Sequence, residues 1–406
     1  MSAACAAPAE TPGDPKPIVE DFTFKSTFDA TGPLYARVVY PEGGRDLPIM
    51  LVQHGYWGNR EMVGYSAERM ARRGFFCLCV QTRGWGGQRK KKGKVISETE
   101  LSAGDHDDGG VETHDLWDAL HAAIDKYDKR VDPERVSIVG YSYGGGMAYF
   151  ASVRFPYLFR GACAFFGIPD YKRHIELRRE RLNKEPVHLK RQIGGLPETH
   201  PDLFVARSAT RAAGNIGRMP FYIVHDEEEP LCPPPMVVEF AEAAKKAGSE
   251  NVVIHESKVG DKHRWYHGYN MNDNPVKAKN DRLSPMEDRF MTDLLERDAT
   301  RPKMPQHGEL TVIGYLITPK FKCVAGKGDN AAARVKFDFR RDPIRLEFEP
   351  LTSKPDAPMA ITLSPQALGG AVVVVIDGKP SGRMTPDNMW TIRARIDSTI
   401  DLKPVN

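Results

Sequence analysis

The string GYSYGGG, residues 140–146, sets a serine midway between Gly140 and Gly144. An apolar run, VSIV, precedes it and a second, MAYFASVRF, follows it. A sharp turn from strand to helix lifts a serine hydroxyl clear of a sheet, and glycines two positions to either side give the backbone room to make that turn. The chemistry this suits is attack by Ser142 on a carbonyl carbon. Such attack needs hydrogen-bond donors waiting for the developing oxyanion. The backbone N–H of Tyr143, at the start of the following helix, is one, aided by the helix dipole. The loop QHGYWGN after an earlier strand supplies the second, assigned to the backbone N–H of Tyr56. Trp57 beside it reads as a substrate wall or as a surface cover, and Trp85, in QTRGWGGQ, is a further candidate to line the substrate.

A serine nucleophile also needs a base, and an acid to orient that base. HDEEEP puts Asp226, Glu227, Glu228 and Glu229 in a row after a short apolar run. Four adjacent carboxylates repel one another, so the run is either a solvated loop or holds one member facing inward. Farther on, NVVIHESKVGDKHRWYHGY offers His255, His263 and His267. His255 lies inside a strand pattern and reads as structural, whereas the other two lie in the loop beyond it. GDHDDGGVETH, residues 104–114, gathers Asp105, His106, Asp107, Asp108 and His114. A divalent metal is one reading. The preferred one is that Asp107 or Asp108 caps the next helix, with Glu112 in its first turn, so no metal or cofactor is expected.

The elements that must position these residues alternate. EDFTFKST and LYARVVYP read as a hairpin, then LPIMLVQ, FFCLCV, VSIVGY, GACAFF, PFYIVH and NVVIHES as strands separated by helical patterns. That alternation predicts a mostly parallel sheet with helices on both faces. Residues 170–219, rich in Arg, Lys and His, are too long for a plain connection and read as an insertion, lid-like or merely decorative. QRKKKGK, residues 88–94, reads as a solvated loop, or as a rim attracting an acidic polymer. A linker at 299–308 leads to residues 309–406, whose alternating apolar and polar residues predict a small sandwich-like β domain. The catalytic domain is thus expected over 18–298, behind a leader at 1–17.

These motifs together resemble the catalytic domain of the prolyl oligopeptidase family, in the α/β-hydrolase superfamily. The resemblance rests on QTRGWGGQ, on VDPERVSIVGYSYGGGMAYFASVRFPYLFRGACAFFGIPDY and on HDEEEPLCPPP. The HGY loop is also similar to that of acetyl xylan esterases and cephalosporin C deacetylases. The resemblance implies an α/β-hydrolase fold and a chain order of serine, acid, histidine. It puts Glu229 at the acid position, with Asp226 where a glycine is usual; Asp226 and Glu228 remain substitutes. It favours His263 over His267 as the base.

Bulk composition bounds the partners. With 57 basic and 54 acidic residues the net charge is +3, which gives no global field for nucleic acid or an anionic membrane. No apolar run approaches the roughly 20 residues a membrane-spanning helix needs. Six cysteines without a pairing rhythm read as small buried hydrophobes. The Pro- and Ala-rich opening is similar to the stretch that follows a removed signal peptide, a lean towards export. The expected substrate is a small or carbohydrate-borne carboxylic ester cleaved through an acyl-enzyme. A serine peptidase without the propeller is the alternative, and a binding module with a vestigial triad the third reading. The C-terminal domain is expected to serve as a scaffold or as a contact between copies of the chain.

Overall fold

A computed structural model of the chain describes residues 16–91, 94–182, 187–259, 261, 275–296, 301–326, 330–354, 356–364, 367–368, 371–385 and 391–405. Its centre is an eight-stranded sheet. The strands are β1 (Pro17–Phe24), β2 (Leu34–Pro41), β3 (Leu47–Gln53), β4 (Phe76–Val80), β7 (Val131–Tyr141), β8 (Phe159–Phe165), β9 (Phe221–Asp226) and β10 (Val252–Ser257). They lie in the order β1-β2-β4-β3-β7-β8-β9-β10. Only the pairs β1/β2 and β2/β4 are antiparallel; the rest run parallel. Between β4 and β7 stands a separate hairpin, β5 (Gly87–Lys91) and β6 (Lys94–Thr99). Residues 88–91 and Lys94 of the QRKKKGK run are therefore in paired strands and not the loop their charge suggested. Cross-strand hydrogen bonding, which composition does not display, overrides a low strand propensity there.

The central strands are buried on both faces, as parallel strands must be. In β3, Ile49 and Leu51 enter one apolar cluster while Met50 and Val52 enter the other. In β4, Phe76 and Leu78 face the first cluster, and Cys77 and Cys79 the second. The first cluster is completed mainly by α2 (Glu112–Lys126), α3 (Tyr143–Arg154) and α7 (Pro234–Lys246), the second by α1 (Gly64–Arg72) and α8 (Pro275–Glu296). Burying one Phe or Leu side chain at such a site contributes about 1.5–3 kcal/mol, so Phe290 and Leu294 of α8 hold that helix to the sheet.

The 170–219 segment forms α4 (Tyr171–Leu182), α5 (Val187–Ile193), α6 (Pro201–Ala206) and a 3-10 helix, Ala209–Ile216. Tyr171, Ile175, Leu189, Ile193 and Phe204 all join the first cluster, so the insertion is packed into the body of the molecule.

The C-terminal strands are β11 (His307–Ile313), β12 (Tyr315–Ile317), β13 (Phe321–Ala325), β14 (Ala332–Asp338), β15 (Ile344–Pro350), β16 (Pro358–Leu363), β17 (Val372–Ile376), β18 (Lys379–Met384), β19 (Ile392–Arg395) and β20 (Thr399–Pro404). They form one antiparallel sheet in the order β18-β17-β20-β15-β14-β11-β12-β13-β16-β19. Residues from both of its ends, Met384 and Ile392, share one core with Leu316 and Leu346, so the sheet curls round a single interior. Ile313, Tyr315, Ile317 and Ala332 leave that interior to join the first cluster of the hydrolase sheet.

Candidate active site

Ser142 stands between the end of β7 and the first residue of α3, with φ 59° and ψ −119°. A non-glycine residue at positive φ is uncommon, and it is costly enough to persist only where the surroundings force it. Two hydrogen bonds and two tightly enclosed glycines force it here. The Ser142 N–H donates to the Phe165 carbonyl of β8 at 2.7 Å, and the Gly146 N–H donates to the Ser142 carbonyl at 3.1 Å. A Cβ at Gly140 would collide with the Gly144 carbonyl oxygen, and one at Gly144 with the carbonyls of Gln53 and His54. The turn is thus clamped between its own helix and the loop after β3.

That loop carries Tyr56. A Cβ added to Gly55 would lie 3.3 Å from Ser142 Cβ, so the HGY loop passes directly beside the serine. The Gly58 N–H closes the loop onto the Gly55 carbonyl at 3.0 Å. His54 is fully buried beneath it and accepts the Thr82 N–H at Nε2, 3.3 Å away, which reads as a structural pin. Tyr56 and Tyr143 are ring neighbours, 5.7 Å between centroids. The phenol of Tyr56 donates to Gln192 of α5, so the insertion is tied to this loop. Trp57 also has positive φ, 59°, and is 66 % exposed. Trp85 is only 5 % exposed and lies under Trp57, their rings nearly parallel at 10° with centroids 6.1 Å apart. Trp57 is therefore open to a ligand, and Trp85 supports it from below.

Beneath these rings sits a buried charged trio drawn from the GDHDDGGVETH segment. His106 Nε2 lies 2.8 Å from Asp108 Oδ1 and its Nδ1 lies 3.0 Å from Glu112 Oε2. The imidazole stacks on Trp85 at 4.4 Å and contacts the rings of Tyr56 and Tyr143. Burial opposes its charge, but Glu112 and Asp108 outweigh that and push its pKa up to about 10. Both ring nitrogens face carboxylates, an arrangement that suits a protonated imidazole. Glu112 also accepts the Tyr143 hydroxyl and the N–H groups of Asp107 and Gly109. Burial and Glu112 together raise the Tyr143 phenol well above its usual pKa. Neither Asp107 nor Asp108 is the expected cap of α2, because Val111 takes the N-cap position with no side-chain cap bond. Asp107 instead accepts the Val111 N–H at 2.9 Å and pairs with Arg207, while Asp108 turns to His106. The sequence signal for the trio was its spacing, but only the fold shows that it lies under the HGY loop.

The acidic run follows β9. Asp226 and Glu229 are both 1 % exposed, Glu227 is partly exposed and Glu228 is exposed. Asp226 Oδ2 accepts the Ser257 hydroxyl at 2.6 Å, and Oδ1 accepts the Glu228 N–H at 3.0 Å, so this carboxylate joins the ends of β9 and β10. Glu229 Oε1 accepts the N–H groups of Leu231 at 2.8 Å and Cys232 at 3.2 Å, which fix the direction of its carboxylate. Glu227 accepts the Val259 N–H. The run is neither uniformly solvated nor interchangeable. His255 is on β10 with its ring 5.2 Å from that of Tyr222. His263 and His267 lie outside the described residues.

The comparisons with known proteins follow this geometry. Among curated proteins no sequence matches. Of solved structures, the chain is similar to the acylaminoacyl peptidase of Pyrococcus horikoshii, with a TM-score of 0.53 and 19% identity over 71% of this chain and 43% of that one. It is also similar to a puromycin hydrolase, with a TM-score of 0.50 and 19% identity over 72% of this chain and 42% of that one. The chain therefore spans less than half the length of either, and the likeness is one of fold. No helix among the described residues is long and apolar enough to cross a membrane. The family described as "Prolyl oligopeptidase family" matches residues 62–279, more than half of the sequence. The chain belongs to the prolyl oligopeptidase family and has an α/β-hydrolase fold.

Proposed function

We propose that this hydrolase cleaves carboxylic esters, small or carbohydrate-borne, through an acyl-enzyme on Ser142. The observation that carries the reading is the strained, glycine-clamped turn at Ser142 with the HGY loop packed against it. In this reading His263 takes the Ser142 proton as the oxygen attacks the ester carbonyl carbon. The backbone N–H groups of Tyr56 and Tyr143 hold the oxyanion, and the alcohol leaves with the proton from the histidine. Water then attacks the acyl-enzyme, giving its proton to the same histidine, and the acid is released with Ser142 restored. Glu229 orients the imidazole and stabilises its charged form. The amide-anchored Glu229 carboxylate supports that role, and Asp226, engaged with Ser257, suits it less.

Membership of a peptidase family supports a second reading, hydrolysis of a peptide bond by the same residues. The test offers purified protein an acetyl ester, a longer acyl ester and an aminoacyl anilide, with Ser142→Ala as control. Ester turnover above anilide turnover, abolished in Ser142→Ala, is expected. Turnover by Ser142→Ala equal to that of the parent protein removes the mechanism, and anilide cleavage exceeding ester cleavage selects the peptidase.

A further inference from the structure

The turn that leads into α2 grips the nucleophile helix at both of its ends. At the far end, Arg154 donates to the Gly110 carbonyl at 3.0 Å and to the Thr113 hydroxyl at 3.3 Å. At the near end, Glu112 accepts the hydroxyl of Tyr143, the first residue of α3. The turn itself is tightly closed. Gly109 has a φ of 70°, a Cβ at Gly110 would collide with the Asp107 carboxylate, and Glu112 accepts the N–H groups of Asp107 and Gly109, each at 3.2 Å. Those two amide bonds account for a carboxylate that merely closes its own turn. They do not account for the Tyr143 hydroxyl, nor for the His106 imidazole 3.0 Å away. A buried carboxylate without a countercharge is costly, and here the imidazole lies between Glu112 and Asp108. The same imidazole faces the rings of both Tyr143 and Tyr56, at 5.1 and 5.6 Å between centroids. Tyr56 is held from two further directions, by the Trp85 ring at 4.8 Å and by Gln192, which accepts its hydroxyl.

We infer that Glu112 and His106 are positioning residues for the oxyanion hole: Glu112 fixes Tyr143 through its hydroxyl, and the imidazole braces the rings of Tyr143 and Tyr56 together. This rests on the reading in which the backbone N–H groups of those two tyrosines receive the oxyanion of an ester cleaved by Ser142. Oxyanion stabilisation depends on donors already in place when charge develops, since a donor that must reorient contributes less. The two amides come from segments far apart in sequence, the loop after β3 and the start of α3, so their spacing needs a common reference. His106 faces both tyrosine rings and is tied through Glu112 to the Tyr143 hydroxyl. Its charge matters as well as its shape. Two bare carboxylates beneath the donors would oppose a developing oxyanion, and an imidazolium between them offsets one of those charges.

The test uses Tyr143→Phe, which keeps the backbone N–H and loses only the hydroxyl, with Glu112→Gln, His106→Gln and the double variant Glu112→Gln/Tyr143→Phe. On an acetyl ester, well below each variant's melting temperature, kcat is expected to fall about 10- to 100-fold in Glu112→Gln and in Tyr143→Phe, while KM stays within about twofold. A trifluoromethyl ketone analogue of that ester, which Ser142 would convert to a tetrahedral adduct carrying the oxyanion, should bind more weakly by the factor that kcat loses. His106→Gln, which can still hydrogen-bond one carboxylate but carries no charge, should lower kcat and inhibitor affinity together. The double variant should lose no more than the poorer single one, because both changes cut one link. If Glu112→Gln does not fold, Tyr143→Phe alone carries the comparison of kcat with inhibitor affinity. A kcat within about twofold of the parent value in Tyr143→Phe overturns the inference, as do losses that multiply in the double variant or a fall in kcat with undiminished inhibitor affinity. Ser142→Ala separates this from the reading beneath it. If that variant is as active as the parent, the ester mechanism and the inference both fall, whereas an inactive Ser142→Ala beside a fully active Tyr143→Phe removes the inference alone.

Discussion

Asp226 and Glu229 are buried carboxylates three residues apart, yet they are engaged so differently that substitution should separate them. Asp226 Oδ2 holds the Ser257 hydroxyl across the ends of β9 and β10, a structural bond. Glu229 is aimed by two backbone amides. Glu229→Gln is expected to lower kcat on an acetyl ester by about three to four orders of magnitude, the loss seen when a triad carboxylate becomes an amide. Asp226→Asn should leave kcat within a few-fold and cost about 1–3 kcal/mol of stability, because a buried hydroxyl partner is disturbed. Steady-state kinetics and thermal melting of the two variants measure this, and the opposite pattern moves the acid to Asp226. The base is tested the same way. His263→Ala should abolish turnover and His267→Ala should not; loss in the second alone would exchange their roles. Ser142 was legible because its chemistry needs one backbone shape, and that shape needs glycine at fixed positions. The choice among four adjacent acids was not legible from composition, since burial and amide contacts, not residue type, distinguish them.

Helix α2 shows what an element adds beyond its pattern. Its apolar spacing announced a helix, and Leu116, Ala119, Leu120 and Ala123 do face the core. The polar residues of its first half are buried as well, for reasons that lie in distant sequence. His114 Nδ1 faces Asp118 Oδ2 at 3.0 Å, Asp118 accepts the N–H and hydroxyl of Thr27, and Lys322 Nζ of β13 lies 3.1 Å from His114 Nε2. Such contacts between residues 208 positions apart leave no trace in local periodicity. Burial lowers the His114 pKa below its ordinary 6.5, the Lys322 charge adds to that, and the Asp118 hydrogen bond opposes it. The unfolded chain therefore binds a proton here at a pH where the folded one does not. The stability contributed by neutral His114 is present above about pH 6.5 and is lost as pH falls below it. Thermal melting between pH 7.5 and 5.5 should show a larger fall in Tm for the parent protein than for His114→Gln, which has nothing to titrate. Equal falls would mean the relay is not felt in stability. The hairpin at 87–99 is the element the sequence concealed, because consecutive lysines read as solvated whether or not their backbone pairs.

At the scale of the molecule, one arginine ties the nucleophile helix to everything around it. Arg154, in the last turn of α3, is fully buried and donates to the carbonyls of Ile313, Gly110 and Ala206 and to the Thr113 hydroxyl. Those groups belong to β11, the entry to α2, α2 itself and α6. Its guanidinium also lies over the Tyr315 ring at 4.5 Å. Nearby, Asn215 donates to the Val153 and Thr311 carbonyls at 2.7 Å and accepts the Thr311 N–H at 2.8 Å. The C-terminal sheet thus completes hydrogen bonds that the hydrolase portion leaves open, and it covers Tyr315 and Ile313 within the hydrolase core. This argues that the two parts unfold together. Arg154→Met keeps most of the volume but strands several buried acceptors, and its expected cost is about 3 kcal/mol or more. Calorimetry should show a single transition for the parent protein and one at lower temperature for Arg154→Met. Ester turnover should fall in the variant at temperatures well below its melting point, because the far end of the helix that carries Ser142 has lost its anchor. Two separate transitions in the parent protein, with activity lost only in the first, would show instead that the β domain is an appendage and that α3 is held without it.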